Sequence, residues 1–185
     1  MKIVLDNIIY NLQRAGGISV YWYELTNRLL LLEKDEVEIY GKKNDNIFGR
    51  QLKVNMKVES KLPNRCVRYL PFRKKLSPKS IFHSSYYRIA LQEDVVNIVT
   101  VHDFIYERFR KGLPRWIHEF QKAFAVRRAD GIICISENTK NDLLRYFPEI
   151  GEKRIKVIFL IGLVFTILKL IRKGIHVRLE YLKLP

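Results

Sequence analysis

The chain has 185 residues, 48% of them hydrophobic, with 34 Lys/Arg against 19 Asp/Glu and two cysteines. That length and apolar share suit one good hydrophobic core and exclude wholesale disorder, and two cysteines exclude a disulfide framework, which points to a reducing cytoplasm. The formal charge of +15 is unevenly spread, because between Lys42 and Lys79 twelve Lys/Arg stand against only Asp45 and Glu59.

Taken in order, Lys2–Leu5 reads as a first strand followed by polar residues, not as a secretory signal. Ile18, Tyr21, Trp22, Leu25, Leu29 and Leu32 recur at helical spacing and predict an amphipathic helix from about Gly17 to Leu32. Val37–Tyr40 is a second strand. The basic segment follows, broken by Pro63, Pro71 and Pro78. Its charge suits nucleic acid, an anionic lipid surface or a phosphorylated substrate, or is a solvated stretch with no specific partner.

Ser80–His83 is a third short strand, and Asn97–Val101 a fourth that ends at His102-Asp103. Pro114 is placed to open a helix in which Ile117, Phe120 and Phe124 are expected to form the buried stripe. The apolar run Gly131–Ile135 is too short for a helix and reads as a strand buried on both faces. Within it Cys134 packs as a small hydrophobe. Ser136 then caps a helix over 137–146, Glu137 brings negative charge to its first turn, and Pro148 closes it. Ile155–Ile158 starts another strand.

Alternating strands and helices predict an α/β fold, a single Rossmann-like domain with a mostly parallel sheet and helices on both faces. Right-handed crossovers send the carboxyl ends of such strands to one edge, where open α/β sheets bind ligands. Gly16-Gly17, His102-Asp103 and Ser136-Glu137 are expected to meet there. The two glycines let backbone approach a bound group, and the helix start favours an anion such as phosphate, although a Gly pair is also an ordinary permissive turn. His102 is suited to bonding a sugar hydroxyl or moving a proton, against a purely structural bond to a loop carbonyl. His83 ends the third strand in a comparable way. The four histidines show no ligand spacing and there is no Cys pair or Asp-x-Asp, so no metal site is expected.

Four segments carry a resemblance: Ala-Gly-Gly-Ile-Ser-Val-Tyr (15–21), Phe-His-Ser-Ser-Tyr-Tyr (82–87), Val-Thr-Val-His-Asp (99–103) and Ala-Asp-Gly-Ile-Ile-Cys-Ile-Ser-Glu-Asn-Thr-Lys (129–140). In this order the chain, over about residues 2–158, resembles the N-terminal, acceptor-side domain of retaining glycosyltransferases of family 4. The resemblance implies a two-domain architecture of facing Rossmann-like domains (GT-B). It implies sugar transfer from a nucleotide-sugar donor to a glycan or lipid-linked acceptor, with retention, no metal and no cofactor. By the same resemblance His102 is the catalytic candidate that touches the transferred sugar. Gly16 and Gly17 lie near the donor diphosphate, Asp103, Ser136 and Glu137 belong to the cleft wall, and His83 is an acceptor-side candidate.

On this reading the domain covers 1–158, and 159–185 is an atypical apolar and basic tail. The tail reads as a frame-changed product, a packed element or a membrane-lying anchor; its apolar stretch 157–171 contains Lys169 and falls short of the ~20 residues a span needs. The second, nucleotide-binding domain of the family is not recognised in the chain, so the expectation is a truncated half, inactive alone. It would bind a nucleotide sugar only with a second domain or a partner subunit. Expected surroundings are the cytoplasm, with peripheral contact at the inner membrane face through 42–79, in polysaccharide biosynthesis. Two other readings are a subunit of a split transferase and a non-enzymatic basic module for membranes or polyanions. Nucleic acid is not expected, since neither zinc-finger spacing nor an aromatic RNA-binding signature is present.

Overall fold

A computed structural model of the protein describes residues 2–32, 36–109 and 111–158. Six strands pair parallel with their neighbours and alternate with helices, so the fold is α/β and Rossmann-like. The chain divides between Asn97 and Ile98 into two compact units.

In the first unit β1 (Ile3–Asp6) runs between β2 (Val37–Tyr40) and β3 (Ile81–Ser84). Every residue of β1 and β3 is buried, as expected of strands covered on both faces. The register pairs Asp6 with Tyr40 on one side and with Ser84 on the other, which brings three strand ends together. A short α1 (Ile9–Leu12) leads to α2 (Gly17–Leu32), the helix expected from periodicity. Tyr21, Trp22, Leu25 and Leu29 bury its stripe, and the Trp22 indole N–H donates to the Asn7 side-chain oxygen. A second cluster joins Val4, Tyr40, Phe72, Leu76, Phe82, Ala90 and Val95. Phe72 meets Tyr40 edge-on at 4.9 Å and Phe82 at 4.6 Å, so the basic segment is anchored by an aromatic knot. That segment holds one helical turn, α3 (Asn64–Val67).

In the second unit β5 (Gly131–Cys134) lies between β4 (Val96–Val101) and β6 (Ile155–Val157). Gly131 lets β5 lie close to β4: a Cβ there would stand 2.9 Å from Ile98 Cδ1, so that side chain would have to shift to admit a larger residue. Helix α6 (Glu137–Tyr146) follows β5 over the predicted residues. A short α4 (Ile105–Phe109), not anticipated from the sequence, precedes α5 (Leu113–Arg128).

The orientation of α5 corrects the expected stripe. Ile117 and Phe120 are exposed, at 41% and 75%, and Phe124 is only half-buried. The helix instead buries His118, Gln121, Lys122, Ala125 and Val126. Ala125 and Val126 are small enough to let the helix approach closely. Lys122 is tolerated inside because its ammonium lies 2.7 Å from Glu107 and donates to the Asp103 carbonyl at 2.8 Å. The expected tail at 159–185 lies outside the described residues. No helix among the described residues is long and apolar enough to cross a membrane.

Candidate functional site

The carboxyl end of β1 carries the most charged interior of the first unit. Asp6 follows an apolar strand directly, and its Oδ1 accepts the Ile8 backbone N–H at 3.1 Å. Its Oδ2 accepts from Ser84 Oγ at 3.0 Å and from Arg88 Nη1 at 2.6 Å. The other end of the Arg88 guanidinium meets both Glu59 oxygens, at 2.8 and 2.9 Å, and Nε donates to the Leu70 carbonyl at 2.8 Å. With a side chain 1% exposed, Arg88 is a buried clamp between two carboxylates. Burial opposes its charge, but Asp6 and Glu59 outweigh burial and hold the guanidinium protonated. Burial raises the Asp6 carboxyl above its ordinary value, although Arg88 and Ser84 pull the other way.

This cluster floors a small pocket whose wall includes Asn11, Tyr40, Lys42, Ser60 and Asn64. The pocket is open to solvent on one side and has room for ordered water at its floor. Polar donors and carboxylates around such a pocket are suited to anchoring hydroxyl groups of a polyhydroxylated molecule.

Of the residues expected near a ligand, Gly16, Gly17 and His83 belong to the same unit. Gly17 opens α2, and a Cβ built on it meets nothing within 4 Å, so its backbone faces open space. Gly16 accepts the Ser19 hydroxyl at 2.9 Å through its carbonyl, and a Cβ there would press only on the flexible Gln13 side chain. His83 is buried, with its ring edge-on to Trp22 at 4.9 Å.

The second unit brings the other candidates together through local bonds. Ser136 caps α6: its Oγ accepts the Thr139 N–H at 3.1 Å and lies 2.9 Å from the Thr139 hydroxyl. That hydroxyl donates to the His102 carbonyl at 3.3 Å, which ties the loop after β5 to the loop after β4. Asp103 Oδ1 accepts the Ile105 N–H at 3.0 Å and so starts α4, while its carbonyl receives Lys122. Glu137 is exposed in the first turn of α6. Burial, and the nearby Lys122 charge against the opposing pull of Asp103, pushes His102 down to about 4. Its imidazole is therefore neutral at neutral pH, able to donate one hydrogen bond and accept another. Cys134, pushed up to about 12 by burial, is an inert thiol of the core strand.

Sequence reasoning missed Asp6, Glu59 and Arg88. Two signals were present: an acid placed directly after an apolar strand, and a lone Glu inside a strongly basic stretch. Among the described residues no three His, Cys, Asp or Glu gather as metal ligands. The family model described as Glycosyltransferase Family 4 matches residues 15–159, which include every candidate named here except Asp6. No curated protein matches the chain.

Proposed function

Because the chain belongs to glycosyltransferase family 4, we propose that it is the acceptor-binding half of a retaining glycosyltransferase. Membership in that family points to glycosyl transfer in general. The finer reading is transfer from a nucleotide-sugar donor to a glycan or lipid-linked acceptor. In it a nucleotide-binding domain or partner subunit supplies the donor pocket and the groups that stabilise the departing diphosphate, usually a dominant catalytic contribution. The observation that carries the acceptor role is the polar pocket over Asp6, Glu59 and Arg88.

In this reading Gly16 and Gly17 stand near the donor diphosphate, where the open space at Gly17 leaves backbone N–H groups accessible. The neutral His102 imidazole bonds a hydroxyl of the transferred sugar rather than delivering a proton. Asp103, Ser136 and Glu137 shape the wall beside it, with Asp103 and Ser136 also holding helix starts. The burial of His83 against Trp22 supports a packing role in place of acceptor contact. Exposed Lys43, Lys53, Lys61, Arg73, Lys74 and Lys75 make the basic segment a weak electrostatic tether to an anionic inner membrane face.

Calorimetry of the chain alone with uridine- and guanosine-diphosphate sugars tests the division of labour. Weak or absent binding and no transfer are expected, and tight binding by the chain alone overturns the acceptor-half assignment. With a nucleotide-binding half supplied, His102→Ala is expected to slow transfer more than it weakens acceptor binding. Equal losses in both would reduce His102 to a structural residue.

A further inference from the structure

Helix α5 is packed the wrong way round for its own periodicity, and that inversion needs an occupant. Leu113, Trp116, Ile117 and Phe120 recur along one stripe and are exposed by 70%, 70%, 41% and 75%. Phe109, four residues before Leu113 at the end of α4, is also 75% exposed. The opposite face, turned inward, carries His118, Gln121 and the buried Lys122. A helix that buries a lysine while leaving a tryptophan and a phenylalanine in water exposes an apolar surface of a kind that marks an interaction site.

The charges beside the stripe identify the partner chemistry. Over residues 105–128 seven Lys/Arg stand against Glu107 and Glu119. Glu107 is buried on Lys122, and Glu119 is held by Arg115 at 2.7 Å. Lys111 and Arg128 remain exposed, with the Arg128 guanidinium 4.7 Å from the centre of the Phe124 ring, and Arg127 is exposed but paired with Glu149 at 2.8 Å. Aromatic and aliphatic side chains flanked by cations, with a tryptophan among them, match the boundary between acyl chains and anionic headgroups. A second copy fits less well, since a two-fold contact would set this positive face against itself. A nucleic acid fits less well too, because Leu113 and Ile117, interleaved with Trp116 and Phe120, gain from a hydrocarbon boundary and nothing from bases or phosphates.

We propose that the exposed stripe of α5, with Phe109, is a membrane-docking surface that seats the protein in the interface of an anionic lipid bilayer. The side chains enter the headgroup boundary and the flanking cations meet lipid phosphates. This contact differs from the electrostatic tether of the basic segment, because it adds apolar insertion to charge. It does not depend on the acceptor assignment: vesicle binding requires no sugar, and substitutions at the pocket are expected to leave it unchanged.

The protein itself supplies the probe. It contains two tryptophans, and Trp22 is fully buried, so a change in emission on docking reports Trp116. The full chain is floated with vesicles of phosphatidylcholine alone and of phosphatidylcholine with phosphatidylglycerol. Binding to the anionic vesicles with a blue shift of Trp116 emission is expected. The double variant Trp116→Ser/Phe120→Ser is expected to float about tenfold less, from the loss of two large inserted side chains. Lys111→Glu, which leaves the apolar stripe whole, is expected to weaken binding at low salt and to matter less at high salt. Three results overturn the proposal: no flotation with anionic vesicles, flotation unchanged in the double variant, or Trp116 emission already blue-shifted in the free chain. The second result would return the contact to the basic segment. The third, combined with sedimentation, would show that the chain itself or a second copy covers the stripe.

Discussion

Arg88 is the single side chain on which the first unit's polar interior depends. Its guanidinium is 2.6 Å from Asp6 and 2.8 Å from Glu59, and neither carboxylate has comparable contact with bulk water. Removing one partner of a buried ion pair costs about 3–5 kcal/mol, because the charges left behind are unpaired. Arg88→Met is therefore expected to lower stability by that order in urea denaturation at neutral pH. The deficit relative to the parent should shrink as pH falls, since orphaned Asp6 and Glu59 can then take up protons. A loss under about 1 kcal/mol would show the clamp to be ornamental. Asp6 and Glu59 left local signals, but their pairing with Arg88 was not legible in the sequence, because Arg88 and Asp6 are 82 positions apart and only the parallel register of β1 and β3 brings them together. By contrast the Ser136 cap is made within three residues, and there the local pattern was sufficient.

Helices α6 and α5 show what periodicity can and cannot say about an element. For α6 the cap, the acidic first turn and the closing proline are local, and the helix spans the predicted 137–146. Ser136→Ala is expected to cost about 1 kcal/mol in thermal unfolding, the usual value for a lost N-cap. Ser136→Asp should retain most of the stability, since a carboxylate can accept the Thr139 N–H and suits a helix start. If alanine and aspartate were equally damaging, the second contact of Ser136, to the Thr139 hydroxyl, would outweigh the cap. For α5 the apolar spacing of 117, 120 and 124 predicted the helix correctly and its inner face wrongly. The face is chosen by partners on other elements, Glu107 and the Asp103 carbonyl for Lys122, which no pattern internal to α5 contains.

For the whole molecule, the depressed His102 value links folding to pH. Its ordinary value is 6.5 and in the fold it is about 4, so between these values the unfolded chain binds the extra proton. Stability from this group is complete above pH ~6.5 and is lost as pH falls towards about 4. The loss is at most about 3 kcal/mol from the size of the shift. Denaturation midpoints measured across that window should fall for the parent and fall less for His102→Asn; parallel curves would mean that burial does not suppress the charge. Taken alone, the sequence determined the order of the six strands and the three long helices, the buried parallel strands, the helix over 17–32 and the cap at Ser136. These follow from spacing and capping, which act over a few residues. Only the tertiary structure decided that Asp6, Glu59 and Arg88 share one interior and that α5 turns its lysine in and its tryptophan out. Those outcomes follow from long-range charge pairing and close fit, which exist only once distant segments are in contact.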